Sequence, residues 1–180
     1  MALSKIDGTN FIAPTIPVAS GGTGSATLAG AGLVNTPAFL VKLTSNYNIA
    51  TSTSTKIQYT TKVFDTDNAF DNSTNYRFTV PSGKAGKYYF YATARANNFN
   101  ANRFVSFIAI NNADTATAET GTASGSAFST LNSNIVLDLD VGDYVEHQVF
   151  HNQGGTQPIM GNSSEHQSMT FFGGYKIIGA

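Results

Sequence analysis

From Pro37 to the C-terminus the sequence is a succession of short, alternating apolar segments cut by turns of Gly, Asn, Asp and Pro, and no stretch reads as a strong helix. This rhythm constrains the fold more than any other feature. Alternation at period two marks half-buried strands. A parallel βαβ arrangement needs helical crossovers, which this chain lacks. An all-β sandwich or barrel remains.

Phe39–Leu43 opens the body. Lys56–Phe64 alternates, with Ile57, Tyr59 and Val63 expected on one face, and Asp65–Asn75 is a long turn holding a short edge segment. Tyr76–Val80 is a clean strand stopped by Pro81-Ser82-Gly83. Gly86–Arg95 follows, then an Asn-rich loop over 97–102, the strand Phe104–Ile110 and a turn at Asn111-Asn112. Ser126–Leu131 and Ile135–Leu139 read as two shorter strands. Val141-Gly142-Asp143 turns the chain into Tyr144–Phe150, and Ser168–Ile178 closes it.

Residues 1–36 differ from this body, 37–180. Ile12–Val18 contains Pro14 and Pro17, which fix φ and remove ladder donors, so an extended arm or edge strand is expected. Gly21, Gly22 and Gly24 form a hinge. Ala26–Val34 reads as one or two helical turns, weakened by Gly30 and Gly32. An arm with so little apolar surface becomes ordered only against copies of itself or a partner.

Only 12% of the residues are charged, about half the ~25% of soluble domains, so Ser, Thr and Asn must keep the surface wet. The net charge of −1 provides no attraction for nucleic acid or an anionic membrane. Cysteine is absent, which removes disulfides and thiolate metal sites. Met1–Asp7 has no apolar core of a signal peptide, and no run approaches the ~18 apolar residues of a membrane span. Folding in a cytoplasm, without membrane insertion, is expected.

Four features of the sequence bear on chemistry. His147 and His151 share a face of one strand but stand ~13 Å apart, too far for one metal ion within a protomer, and an ion shared by three copies of one His on a threefold axis is the alternative to a satisfied or solvent-facing ring. Asp65-Thr66-Asp67-Asn68-Ala69-Phe70-Asp71 lacks the central Gly and terminal Glu of a calcium loop; capping within a turn is the simpler reading, with a calcium ion as its alternative. Gly22-Thr23-Gly24 lacks the third glycine of a dinucleotide site. No G-x-S-x-G elbow occurs. Neither a catalytic residue, nor a cofactor, nor a metal ligand is assigned, and the chain reads as a non-enzyme.

The order of the body segments resembles a known family. Pro37-Ala38-Phe39 opens a strand; Tyr76-Arg77-Phe78-Thr79-Val80-Pro81, Gly86-Lys87-Tyr88-Tyr89-Phe90, Leu139-Asp140-Val141-Gly142-Asp143-Tyr144-Val145 and Phe172-Gly173-Gly174-Tyr175-Lys176-Ile177 follow. This is similar to the C1q-like globular heads, relatives of the tumour necrosis factor fold. Val18-Ala19-Ser20-Gly21-Gly22-Thr23-Gly24-Ser25-Ala26-Thr27 resembles the G-G-T-G segment of bacteriophage tail fibres. The combination implies a jelly-roll sandwich of about ten antiparallel strands, trimeric, behind a short N-terminal arm. It implies a virion protein assembled in the host cytoplasm: a short tail fibre or receptor-binding trimer that meets other tail or capsid proteins through residues 1–36. A capsid decoration or head-fibre protein, and a free C1q-like lectin or ligand, are the rivals.

Tyr88-Tyr89-Phe90-Tyr91 places rings on both faces of one strand, Tyr88 and Phe90 inward, Tyr89 and Tyr91 outward. A lone sandwich would leave the outward rings wet, so they are expected at a threefold interface together with Phe150, Phe172 and Tyr175. Asn97, Asn98, Asn100, Asn102, His151 and His166, on polar loops, are the candidates for contact with a host surface glycan or protein.

Overall fold

The computed structural model of the chain describes residues 25, 27, 30–31, 34–96, 103–120, 128–162 and 169–178, with backbone alone for 114–120. Two units divide the chain, Met1–Asn35 and Thr36–Ile178. In the first, the Thr27 carbonyl accepts the Ala31 N–H at 3.0 Å and Thr27 Oγ1 accepts the Gly30 N–H at 2.9 Å, which closes a hydrogen-bonded turn. Gly21, Gly22 and Gly24 lie outside the described residues.

The second unit is all-β. Its thirteen described strands are β1 (Ala38–Lys42), β2 (Tyr47–Ile49), β3 (Thr55–Lys56), β4 (Thr61–Asp65), β5 (Phe70–Asp71), β6 (Arg77–Thr79), β7 (Gly86–Ala96), β8 (Phe104–Ile110), β9 (Ala113–Thr120), β10 (Ser129–Leu139), β11 (Tyr144–His151), β12 (Gln157–Ile159) and β13 (Phe171–Lys176). One sheet runs β2-β12-β7-β13-β1-β4, with β10 on the free side of β7. The other runs β5-β6-β11-β8-β9, with β3 continuing beside β11. Every pairing among them is antiparallel.

Three departures from the sequence reading have local causes. Lys56–Phe64 is not one strand. Thr55–Lys56 pairs with β11 in one sheet and Thr61–Asp65 with β1 in the other. Ile57 and Tyr59, buried where the chain crosses between sheets, carry the alternation that a single strand would show. Phe64 pairs with Leu40 and Lys62 with Val41, so Val63 is the extra residue of a bulge; it is 51% exposed, not inward. Residues 126–139 hold one long strand rather than two, since β10 follows β7 from Ser129 opposite Ala96 to Leu139 opposite Gly86.

The core between the sheets is largely aromatic. Phe39 is its centre, with ring centroids of Phe70, Phe78 and Phe172 at 5.2, 5.1 and 5.1 Å. Phe90 and Tyr88 stack at 6.0 Å beside Phe78. Edge-to-face and offset contacts of this kind add to the burial of each ring. Asn111 and Asn112, at φ +48° and +70°, form the tight turn joining β8 to β9. Asn tolerates this left-handed backbone better than most residues.

Candidate functional site

The outward face of the first sheet is read from register. Paired residues on neighbouring strands point to the same side. Tyr175 sits opposite Tyr89, and Tyr89 opposite Val136; Leu40 faces Gly173, Gly173 faces Tyr91, and Phe171 faces Thr93. Tyr88, Phe90 and Ala92 alternate inward and are buried. The outward rings form a continuous group: Tyr89–Tyr175 at 5.6 Å, Tyr89–Tyr91 at 6.0 Å and Tyr91–Phe171 at 6.3 Å. Partial burial raises the Tyr91 phenol above its ordinary pKa, and the neighbouring phenols of Tyr175 and Tyr89 push it the same way.

Two glycines make that face possible. A Cβ on Gly173 would stand 2.6 Å from Tyr91 Cζ, and one on Gly174 would stand 2.6 Å from Phe90 Cδ1. The Tyr91 ring therefore lies flat over β13 on the outside, while Phe90 lies over it on the inside. Beside Tyr91 is an apolar hollow of about 160 Å³ lined by Leu40, Lys42, Val63, Tyr91 and Phe171.

Of the five aromatic residues expected at an interface, the structure brings together Tyr89, Tyr91 and Tyr175. Phe172 is corrected: it is fully buried in the core, because it pairs with inward Ala92, and Phe171 takes the outer place. Phe150 stands apart from this group, half-buried on the other sheet, where it pairs with Val105 under the Arg103 guanidinium. Among the surface candidates, His151 is fully buried, its Nε2 donating to the Ile49 carbonyl at 3.2 Å and its Nδ1 accepting the Gln153 N–H at 3.2 Å. A ring held at both nitrogens inside the sandwich is no receptor contact. Asn97, Asn98, Asn100, Asn102 and His166 lie outside the described residues.

A buried polar chain went unforeseen. His147 Nδ1 is 2.6 Å from the Tyr59 hydroxyl, and its Nε2 is 2.9 Å from Ser106 Oγ. Ser133 Oγ, from the facing sheet, reaches Ser106 Oγ at 3.0 Å and donates to the Ser106 carbonyl at 3.1 Å. Burial drives the imidazole pKa down to about 3 and the Tyr59 phenol well above 10. Both groups are therefore neutral at pH 7. The neutral ring donates at one nitrogen and accepts at the other, so either tautomer ties Tyr59 to Ser106. The chain is a cross-sheet tie, and no sequence spacing marks it, because its members come from four segments.

The Asp-rich turn is also occupied from within. Lys62 Nζ lies 2.8 Å from Asp65 Oδ2 and 2.8 Å from Asn68 Oδ1, an ammonium where a calcium loop would hold its ion. Asp71 accepts the N–H groups of Ser73, Thr74 and Asn75 at 2.9, 3.0 and 2.9 Å, which holds its carboxyl far below the usual range.

No protein-family model matches the chain, and no curated protein does at a significant level. Solved structures do. The globular domain of zebrafish complement 1qA protein is similar at 19% identity and TM-score 0.52, over 78% of this chain and 97% of that one. The Eiger TNF from S. frugiperda is similar at 12% identity and TM-score 0.60, over 82% and 96%. Murine APRIL is similar at 12% identity and TM-score 0.57, over 78% and 98%. With its two antiparallel sheets and this shared architecture, the body is a jelly roll of the C1q and tumour necrosis factor type.

Proposed function

We propose that this chain is a non-enzymatic structural protein of a bacteriophage virion: a short tail fibre or receptor-binding protein, trimeric through the outer face of its first sheet. Residues 1–36 fix it to a tail or capsid protein. The observation that carries the assembly is the group Tyr89, Tyr91, Tyr175 and Phe171 with Leu40 and Val63, on a face that a two-layer sandwich leaves in water. The partly buried rings leave part of the ~150–250 Å² of each aromatic side chain for an interface, and a contiguous patch of this kind marks an interaction surface. A repeated heterologous contact closes as a ring of three and hides it on every copy. An obligate interface of ~2,000 Å² is the expected scale.

The virion reading rests on the resemblance of Ser20-Gly21-Gly22-Thr23-Gly24 to fibre segments, and adhesion on the gain of ~10²–10⁴ that linked weak sites provide. Sedimentation velocity of the full chain across a dilution series tests the assembly; a folded single protomer at micromolar concentration refutes it. Labelling the protein in intact particles tests the location. Signal confined to the tail supports the fibre, and signal spread over the shell moves the reading to a capsid decoration.

A further inference from the structure

We propose that the cleft between β4 and the β5–β6 turn is a binding site for a neutral, hydroxyl-rich ligand, a short oligosaccharide. It encloses about 540 Å³ and is lined by Lys62, Asn68, Asn72, Asn75, Val80 and Pro81 together with the Asp67 and Asp71 carboxylates. That volume falls within the ~300–1,000 Å³ of small-molecule sites.

The positive charges of the cleft are already matched. Lys62 Nζ bonds Asp65 Oδ2 at 2.8 Å, and Lys84 Nζ stands 3.6 Å from Asp67 Oδ1. Asp71 is saturated by backbone and side-chain donors of 73–75. A cation finds carboxylate oxygens already taken by an ammonium or by N–H and O–H donors, and an anion finds no unmatched positive charge. Neither class is favoured.

Amide valences remain. Asn68 gives Oδ1 to Lys62 at 2.8 Å, which leaves its NH₂ without a partner among the described residues. Asn72 donates Nδ2 to the Thr60 carbonyl at 2.8 Å, and Asn75 donates Nδ2 to Asp71 at 2.9 Å; each keeps its Oδ1. One half of every amide is anchored and the other half is offered, so donors and acceptors stand fixed before a ligand arrives. Preorganisation of this kind lowers the entropy lost on binding. Hydroxyls, which both donate and accept, match such a mixed set. Pro81, half-buried at the rim, offers a small apolar surface to the C–H face of a sugar ring, while Val80 is buried beneath it.

No aromatic ring is offered for stacking, since Phe70 is buried in the core, so single-site affinity is millimolar. The site gains its use from three copies on one particle, and in that respect it rests on the adhesion reading above.

The test is saturation-transfer NMR and calorimetry on the full chain, with neutral di- and trisaccharides of glucose, galactose, mannose and N-acetylhexosamines up to about 20 mM. Saturable binding to at least one is expected. It should weaken at least about tenfold in Asn68→Asp, which keeps the Lys62 contact and the left-handed backbone but removes the donor. The same loss is expected in the pair Asn72→Ala and Asn75→Ala. Unchanged melting temperature shows that a variant has kept its fold. No binding across the panel, or equal binding by wild type and Asn68→Asp, overturns the site. Particle adsorption is scored separately: adsorption without sugar binding removes the cleft and keeps adhesion, whereas sugar binding without adsorption keeps the cleft and removes adhesion.

Discussion

Acid should loosen this protein through His147 well before its carboxylates matter. The imidazole is 1% exposed, and its ring contacts are Tyr59, Ser106 and Phe172, none of them a carboxylate. Its β-strand neighbour Glu146 points to the other side of β11, toward Lys56. Nothing in that pocket compensates a charge, so burial lowers the pKa from 6.5 to about 3. The unfolded chain binds the proton below pH 6.5 and the folded chain does not until about pH 3. Between those values the unfolded state holds more protons, so stability falls as pH falls; above pH 7 the histidine has no pH effect.

Each pH unit in the window is worth about 1.4 kcal/mol, so the descent from pH 6.5 to 4.5 costs ~3 kcal/mol. That is a large share of the ~5–15 kcal/mol typical of a domain. Urea unfolding followed by far-UV circular dichroism, at fixed protomer concentration because association adds to stability, reads the slope. His147→Gln removes the titrating group. The variant is less stable at neutral pH, where Tyr59 and Ser106 lose their partner, but its stability should be nearly flat over this window. Subtracting the two curves cancels the other ionisable groups. Equal slopes for wild type and variant would refute the buried neutral imidazole and with it the cross-sheet tie.

Replacing Tyr91 by Ser should move the midpoint of assembly on dilution by at least tenfold, roughly 1.4 kcal/mol or more, as central aromatics usually do; an unmoved midpoint in sedimentation argues for a different interface. Gly174→Ala, whose Cβ would stand 2.6 Å from the Phe90 ring and 2.9 Å from the Tyr89 carbonyl, should cost about 1–3 kcal/mol in chemical unfolding. Phe39→Ala opens the centre of the aromatic core and should cost roughly 3–5 kcal/mol, visible as a large drop in melting temperature. Asp71→Asn weakens the three N–H contacts of its turn. With its pKa depressed, the carboxylate contributes above the ordinary value of 3.8, and its advantage over Asn shrinks as pH falls below that. Screening at this exposed turn keeps the difference to about 1 kcal/mol.

Much of the site was legible along a single strand and little of it between strands. Tyr88-Tyr89-Phe90-Tyr91 sorts into inner and outer rings by alternation alone, and the structure places them so. Phe171-Phe172 does not sort, because adjacent residues of equal size differ only in which one meets Ala92 across β7. His151 on a strand near a polar loop has the same composition whether it faces water or the Ile49 carbonyl. The cleft residues were noticed as a turn, but the closeness of Lys62 to Asn68 joins an edge strand to the turn that follows it, and spacing does not reveal where an ammonium will stand.

Local backbone chemistry, then, was settled by the sequence: β rather than α from period-two apolar spacing, turns from Asn, Asp and Gly, and a low-charge surface from composition. Tertiary structure decided which sheet each strand joins, as where 55–65 crosses between layers, and which of two neighbouring rings is buried. The reason is that alternation follows from the geometry of one strand, whereas register is set by the pairing energy of two. A shift of one residue along that pairing exchanges core and surface while leaving the sequence pattern unchanged.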